Sequence, residues 1–208
     1  MIGDVLLVNE KHTRVASQLA VIIEEKNIIK FIVAIAGESG TGKSEVAHEL
    51  RKKLKKDGYL VKIIHSDNYY KILPTVRIER RKKYGIQSVG ENEYDWEVLN
   101  KNIDDFRQGK ESVLPYYDLY TNQKDRLITN FDSINILIVE GLYCLRVSSD
   151  LKVFIDSTYK DHLQAQVLRG KEPQTKFRTK VLQRESQVIQ SHRSLADLLI
   201  NQDYDVTK

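Results

Sequence analysis

Apolar runs alternate with helical patterns along most of the chain. Four runs are rich in β-branched and aliphatic residues without a polar alternation, which is typical of strands buried on both faces. These runs span residues 27–36, 59–67, 133–141 and 151–157. The segments between and after them repeat apolar residues at helical spacing. The helices predicted in this way span residues 43–58, 75–84, 95–107, 159–169 and 176–193. Strands that alternate with helices predict an α/β fold, with an open, mainly parallel sheet and helices on both faces.

Two segments fall outside this alternation. Residues 112–130 break the rhythm and are predicted to form a small hairpin over one end of the sheet. Near the N-terminus, residues 4–8 fit a short strand, and residues 11–26 place apolar side chains at helical spacing. We therefore expect residues 1–29 to be a strand and helix extension that packs on a main domain of residues 30–208. A contact between two copies of the chain is the alternative role for this extension.

Composition narrows the class of protein. The chain has 208 residues, enough for one good-sized domain, and its 33 basic and 29 acidic residues give a mild net charge of +4. This charge suits an anionic small molecule and gives no argument for nucleic acid. The single cysteine, Cys144, excludes an internal disulfide and is expected to be a core thiol. We expect no secretory signal and no membrane span, because no apolar run approaches about 20 residues; a cytoplasmic protein is the default.

One loop carries a specific phosphate-binding pattern, G-x-x-x-x-G-K-[ST], between the first long strand and a helix. Its glycines allow backbone N–H groups to point at phosphate oxygens, and the following helix adds the positive end of its dipole. The lysine is expected to reach the β- and γ-phosphates, and the serine hydroxyl to ligate Mg²⁺. We call this loop the P-loop. The predicted ATP-binding residues in it are Gly37, Glu38, Ser39, Gly40, Thr41, Gly42, Lys43 and Ser44.

Two carboxylates at the ends of predicted strands indicate catalysis in addition to nucleotide binding. A GTPase would need an NKxD-type loop to read the base, and the sequence has none. Glu140 ends an apolar strand and could position the metal, although a plain strand-end carboxylate is the alternative. Asp67 ends the second strand, so it should emerge at the same sheet edge as the P-loop and could accept the proton of an attacking hydroxyl. Helix capping is its simpler role, and Tyr69 and Tyr70 beside it could line a substrate pocket.

The order and spacing of several segments resemble the uridine kinase and phosphoribulokinase family over roughly residues 30–206. The segments are "GESGTGKS", "SDNYY", "EYDWEVL", "PYYDLYTNQKD", "ILIVEGLY", "VFIDSTYKDHLQAQVLRG" and "LADLLI". The resemblance implies a P-loop kinase that moves the γ-phosphoryl group of ATP to a hydroxyl of a small molecule. By the same resemblance, Asp67 matches the catalytic base and Lys43 matches the phosphate-binding lysine. Ser44 matches the hydroxyl that ligates magnesium, and Glu140 matches the acidic residue beside the metal. Arg169 matches a lid arginine that binds the triphosphate.

The departures from the family concern mostly the acceptor. Val89 replaces an aspartate that holds ribose hydroxyls, Asn122 replaces a histidine that reads the pyrimidine, and Gln166 replaces an arginine. Two lid arginines become Gln174 and Lys176, although other basic residues follow closely, namely Arg178, Lys180 and Arg184. The residues predicted to bind the acceptor are Asp67, Tyr69, Tyr70, Tyr117, Asp118 and Asn122. Asp95 is expected to cap a helix and Trp96 to lie in the core.

The sequence therefore predicts a kinase that uses ATP, Mg²⁺ and a small hydroxylated acceptor. A nucleoside such as uridine or cytidine is the acceptor that the sequence favours most. A sugar phosphate, a pantothenate-like alcohol and adenylylsulfate are alternative acceptors. A nucleotide-binding regulatory module without an acceptor is the alternative from another class. We expect neither a nucleic-acid nor a membrane partner, and we leave open a homo-oligomer and the choice of ATP over GTP.

Overall fold

A computed structural model describes residues 4–169 and 175–208. Within these ranges two sheets are present: a central one with the strand order β2-β5-β1-β6-β7-β8, and a separate pair, β3-β4. The helices are α1 (Glu10–Lys26), α2 (Lys43–Lys56), α3 (Pro74–Tyr84), α4 (Trp96–Arg107), α5 (Leu163–Arg169) and α6 (Lys176–Gln190). The strands are β1 (Phe31–Gly37), β2 (Val61–His65), β3 (Glu111–Asp118), β4 (Gln123–Asn130), β5 (Ile136–Gly141), β6 (Leu151–Ile155), β7 (Leu198–Ile200) and β8 (Val206–Thr207).

The central sheet confirms the predicted architecture. Strands β2, β5, β1, β6 and β7 pair in parallel, and only β8 is antiparallel to its neighbour. All four predicted long strands are present. Strands β1 and β5 are buried over their whole length, as runs without polar alternation should be. Because the strands are parallel, the loops that follow β1, β2 and β5 meet at one edge of the sheet.

Packing divides the core into two layers, one on each face of the sheet. Helices α1 and α2 cover the first face, where Val15, Leu19 and Ile23 of α1 pack with α2 and with the strands. Helix α4 covers the second face together with the segment after β5, which includes Cys144. This thiol is fully buried, its Sγ donates to the carbonyl oxygen of Ile35 at 3.1 Å, and burial raises its pKa. The prediction of a core cysteine is confirmed.

The N-terminal segment differs from the prediction in one respect. Residues 4–9 form no strand, so the expected strand at residues 4–8 is wrong. Here the backbone bonds to a side chain instead of a sheet edge: the N–H of Leu7 donates to Glu45 Oε1 at 3.1 Å. Helix α1 begins at its cap, Asn9, close to the predicted start. It packs on the main body as expected.

The hairpin is confirmed and lies outside the central sheet. Strands β3 and β4 pair antiparallel from Glu111 with Asn130 to Asp118 with Gln123. The inner strand β3 contacts α4 and the turn after β2, whereas β4 is exposed along nearly its whole length. In the described ranges no helix combines the length and the apolar character needed to cross a membrane.

Candidate active site

The P-loop joins β1 to α2 and is closed by contacts within itself. Lys43 Nζ donates to the carbonyl oxygen of Glu38 at 2.7 Å, and Thr41 Oγ1 donates to the same oxygen at 2.9 Å. Gly42 is the N-cap of α2, with a φ of 84° that favours glycine, and no side chain of the described residues caps the helix there. The positive end of the α2 dipole therefore faces the loop, which suits an anion.

Side chains behind the P-loop fix its path. A Cβ atom on Gly42 would lie 2.6 Å from the hydroxyl oxygen of Tyr204 and 2.7 Å from His12 Nε2. The Tyr204 hydroxyl donates to the carbonyl oxygen of Thr41 at 2.9 Å, and its ring meets the His12 ring edge to face. Both contacts come from segments that sequence reasoning did not connect to the loop, α1 and the turn before β8. Nothing in the local sequence pattern signals them.

Glu38 serves the structure of the loop. Its side chain is buried, and Oε2 accepts from the N–H of Tyr159 at 2.8 Å. Oε1 accepts from Ser186 Oγ at 2.8 Å and from Gln190 Nε2 at 2.6 Å, both on α6. Every carboxylate oxygen thus already has a protein donor, so Glu38 ties the P-loop to α6.

Ser44 and Glu140 come together at the sheet edge. Ser44 Oγ lies 3.2 Å from Glu140 Oε1, and His65 Nδ1 lies 2.5 Å from the same oxygen. Residues 65 and 140 are register partners of β2 and β5, which explains why the sequence brings them together. A hydroxyl and a carboxylate suit Mg²⁺, so the pair fits the predicted metal. The described residues contain no cluster of three or more His, Cys, Asp or Glu side chains that could hold a metal.

Asp67 follows β2 in a 3-10 turn, Ser66–Tyr69, rather than ending the strand itself. Its Oδ1 accepts from the hydroxyl of Tyr94 at 3.2 Å. Burial raises the pKa of Tyr94 well above its usual value, so this phenol stays protonated and remains a donor. Within the described residues Oδ2 makes no hydrogen bond, which leaves one oxygen of the carboxylate for another group.

The predicted acceptor residues separate into two groups. Tyr69 is buried in the core, where its hydroxyl donates to Asn102 at 2.9 Å. Asp118 closes the hairpin turn by accepting from the N–H groups of the next residues, Tyr120 at 2.8 Å and Thr121 at 3.4 Å. The contact with Asn102 occupies the Tyr69 hydroxyl in the core, and we do not retain Tyr69 as an acceptor contact. Asp118 uses only Oδ1 for the turn, so its assignment to the acceptor stays a prediction.

Tyr70, Tyr117 and Asn122 are linked to the surroundings of Asp67 by contacts with its neighbours. The Tyr70 ring packs against the Tyr94 ring at a tilt of 36°, with the ring centroids 4.1 Å apart. The N–H of Tyr117 donates to Asn68, the neighbour of Asp67, at 3.1 Å. The Tyr117 hydroxyl donates to Asn122 Oδ1 at 3.0 Å, so these two hairpin residues act as a pair.

Gln166 lies at the P-loop and not at the acceptor side, which corrects its expected place among the acceptor-determining positions. Its Nε2 donates to the carbonyl oxygens of Ser39, at 3.0 Å, and Tyr159, at 3.2 Å. Val89 is 2 % exposed, which fits a packing role. The side chain of Arg169 and all of Gln174 lie outside the described residues.

Two residues that sequence reasoning did not assign also reach the P-loop. Arg178 Nη2 lies 3.5 Å from Ser39 Oγ. His162 Nε2 lies 3.0 Å from Ser157 Oγ, and its Cβ would be 3.2 Å from a Cβ placed on Gly40. Burial lowers the pKa of His162; Asp161 opposes this effect and the charge of Lys43 adds to it. The run of basic residues near 178 was the signal for Arg178, and no local pattern pointed to His162.

Asp95 and Trp96 behave as predicted. Asp95 is the N-cap of α4 and accepts from the N–H of Val98 at 3.2 Å. The Trp96 ring packs on the second core layer and stacks on Tyr94, with its Nε1 donating to the carbonyl oxygen of Glu91.

A glycine loop between a buried strand and a helix, at the edge of a mainly parallel sheet, defines a P-loop nucleotide-binding protein. The chain belongs to the phosphoribulokinase / uridine kinase family, whose model matches residues 32–191. It is 29% identical to a uridine kinase of Macrococcus caseolyticus over 182 residues, which cover 81% of this chain and 86% of the relative.

Solved structures share the fold at lower identity. A possible uridine kinase from Bacillus stearothermophilus superposes with a TM-score of 0.59 at 20% identity, covering 89% of this chain and 97% of that one. The phosphoribulokinase from Rhodobacter spheroides gives a TM-score of 0.61 at 18% identity, with coverages of 82% and 69%. This likeness concerns the fold alone.

Proposed function

We propose that the protein transfers the γ-phosphoryl group of ATP to a hydroxyl group of a small molecule. The observation that carries this proposal is Asp67, a carboxylate with one oxygen held by Tyr94 and the other without a partner in the described residues. It follows β2 by two residues, at the edge where Ser44 and Glu140 meet. A nucleotide-binding module without an acceptor would have no use for such a carboxylate.

The P-loop binds the phosphates in this proposal. Its backbone N–H groups and the N-terminus of α2 face the β- and γ-phosphates, and Lys43 exchanges its bond to the Glu38 carbonyl for phosphate oxygens. Ser44 and Glu140 would hold Mg²⁺, which neutralises phosphate charge when bound. His65 orients Glu140 by donating to the oxygen that also faces Ser44.

Asp67 acts as the base. As the acceptor oxygen attacks the γ-phosphorus, its proton passes to Asp67 Oδ2, and ADP departs with the electron pair of the broken P–O bond. Tyr94 keeps the carboxylate oriented through Oδ1. Two arginines stabilise the charge of the transferred group. These are Arg169, which matches a lid arginine by resemblance, and Arg178, which lies near Ser39 of the P-loop.

The acceptor is the finer part of the proposal. Uridine is the first compound to test, because the curated relatives are named uridine kinase, and cytidine, a second pyrimidine nucleoside, is tested beside it. Tyr70 contacts Tyr94, the partner of Asp67. Tyr117 contacts Asn68, the neighbour of Asp67. We assign these two residues and Asn122, which accepts from Tyr117, to the wall of the acceptor site. Sugar phosphates, pantothenate and adenylylsulfate complete the panel, measured as ADP release with and without each compound.

The test is Asp67→Asn. This variant should keep its affinity for ATP, because the P-loop is unchanged, and should lose about 10²-fold in turnover, a common contribution of a general base. Asp104→Asn on the exposed face of α4 removes the same charge and should leave turnover unchanged. Wild-type turnover in Asp67→Asn would overturn the assignment of the base. ATP hydrolysis that no acceptor stimulates would overturn the proposed transfer.

A further inference from the structure

Arg77 is a cation without a polar partner beside the proposed acceptor site. It lies on α3, and the central carbon of its guanidinium is 3.7 Å from the centroid of the Tyr70 ring. In the part of the chain that the structure describes, its side chain makes no hydrogen bond and no ion pair. One of its nitrogens, Nη1, is buried from solvent without a partner. The Tyr70 ring is thus the contact that the described residues give to a guanidinium with five N–H donors, and its buried Nη1 has no acceptor among them.

The neighbouring arginine on the same helix shows what a satisfied guanidinium looks like here. Arg81 donates to both carboxylate oxygens of Glu93, at 2.8 and 2.7 Å, and to Glu185 at 3.3 Å. Burial of a guanidinium is costly unless an anion compensates it, and stacking on one ring compensates only part of that cost. Arg81 has its anions within the protein. Arg77 has none at comparable distance.

Arg77 is coupled to the proposed base and to the hairpin. The Tyr70 ring under its guanidinium packs against Tyr94, which donates to Asp67. The charges of Arg77 and Asp67 act on one another, and the charge of Arg77 also acts on Tyr117 of β3. Arg77 and Asp67 therefore face one region, which lies between α3, the turn after β2 and the hairpin.

A second cation reaches this region from the hairpin. Lys124, the register partner of Tyr117 on β4, donates to the carbonyl oxygen of Tyr70 at 3.4 Å. Two different elements thus bring positive charge to the same tyrosine. Asp67 is the carboxylate whose charge acts on Arg77, and in the proposed reaction it has to accept a proton, so an anionic acceptor group would supply the direct partner that the guanidinium lacks.

We propose that the acceptor carries an anionic group, a carboxylate or a phosphate, and that Arg77 binds this group while the acceptor hydroxyl faces Asp67. This inference rests on the proposed kinase function. The guanidinium fork suits either anion, because both offer two oxygens at matching spacing. Arg77 is then a specificity-determining residue that touches the acceptor.

The experiment compares neutral and anionic versions of the same hydroxyl compound. The pairs are glycerol with glycerate and with glycerol 3-phosphate, ribose with ribose 5-phosphate, and uridine with its 3′-monophosphate, which keeps the 5′-hydroxyl. Acceptor-stimulated ADP release and calorimetric binding are measured for wild type, Arg77→Met and Arg80→Met. Arg80 is the matched control, since it lies on the same helix, is exposed and contacts only the ring of Tyr84 among the described residues.

We expect one anionic member to be preferred over its neutral counterpart in wild type and in Arg80→Met. Arg77→Met should lower kcat/KM for that compound by about 100-fold, mainly through KM, as loss of one partner of a desolvated charge pair does. Glycerate against glycerol 3-phosphate distinguishes a carboxylate from a phosphate. If Arg77→Met unfolds, Arg77→Lys replaces it in the experiment. Lysine keeps the charge but loses the guanidinium fork, and it should give a smaller rise in KM.

The outcomes separate this inference from the kinase proposal. Turnover of a neutral compound that is indifferent to Arg77 would overturn the anionic acceptor and leave the kinase standing. Binding of an anionic compound that depends on Arg77, with no transfer to any compound, would support the anion site and overturn the kinase. No preference for anions in either assay would overturn the inference.

Discussion

Tyr204 should shape the P-loop from behind, although it lies beyond the family match. Tyr204→Phe removes one hydroxyl, whose hydrogen bond to the carbonyl oxygen of Thr41 is 2.9 Å long and buried. Loss of the bond leaves this carbonyl without its donor, which costs about 1–2 kcal/mol in the free energy of unfolding. In a chain of this size each kcal/mol shifts Tm by roughly 2–4 °C. The edge-to-face contact with His12 survives in phenylalanine, so packing changes little.

The same change should weaken ATP binding. If the P-loop conformation that binds phosphate loses about 1 kcal/mol relative to other loop conformations, a smaller fraction of molecules is ready to bind. The Kd for ATP then rises by up to about 5-fold. Chemical denaturation and calorimetric titration with ATP measure the two effects on one preparation. Tyr84→Phe, at an exposed tyrosine of α3, is the control and should change neither. A lower free energy of unfolding with an unchanged Kd would show that Tyr204 stabilises the fold without shaping the loop.

Two further changes test the sheet edge and the surroundings of the P-loop. In Gly141→Ala the new Cβ would lie 1.7 Å from Ser66 Oγ, at the start of the turn that carries Asp67. We expect it to cost about 1–3 kcal/mol in unfolding free energy and to lower turnover, whereas Gly58→Ala, at positive φ but with open space around its Cβ, should keep turnover. Burial lowers the pKa of His162, so the folded state favours its neutral form; this contribution is complete above the unfolded value of about 6.5 and is lost as pH falls through the folded value. The unfolding free energy of wild type should therefore fall more steeply than that of His162→Gln between about pH 7 and pH 5, and parallel curves in chemical denaturation would contradict this.

Local patterns predicted the parts of the fold that depend on local chemistry. Uniformly apolar runs predicted the buried parallel strands, and the glycines with Lys43 predicted the P-loop, because each pattern has a direct steric or electrostatic reason. Strands β7 and β8 were not predicted, since three and two residues are too short to show a period. The strand expected at residues 4–8 is absent because an apolar run also needs a sheet edge to pair with. The backbone there donates to the Glu45 side chain instead.

The candidate site was predictable at strand ends and not elsewhere. Glu140 could be placed because parallel strands bring their carboxyl ends to one edge. Tyr69 and Tyr70 are adjacent, yet one hydroxyl turns to Asn102 in the core while the other ring lies under a guanidinium, and no local rule distinguishes them. Gln166 was placed at the acceptor by matching along the sequence, but the direction of α5 turns it to the P-loop.

Ser39 receives contacts from both ends of one stretch of chain. Gln166 Nε2 donates to its carbonyl oxygen, and Arg178 Nη2 lies 3.5 Å from its hydroxyl. Gln166 belongs to α5 and Arg178 to α6, so two helices are anchored on one residue of the P-loop. One anchor holds the backbone of Ser39 and the other its side chain. A phosphate that shifts Ser39 on binding therefore acts on both helices at once, and the two contacts couple the state of the loop to their positions.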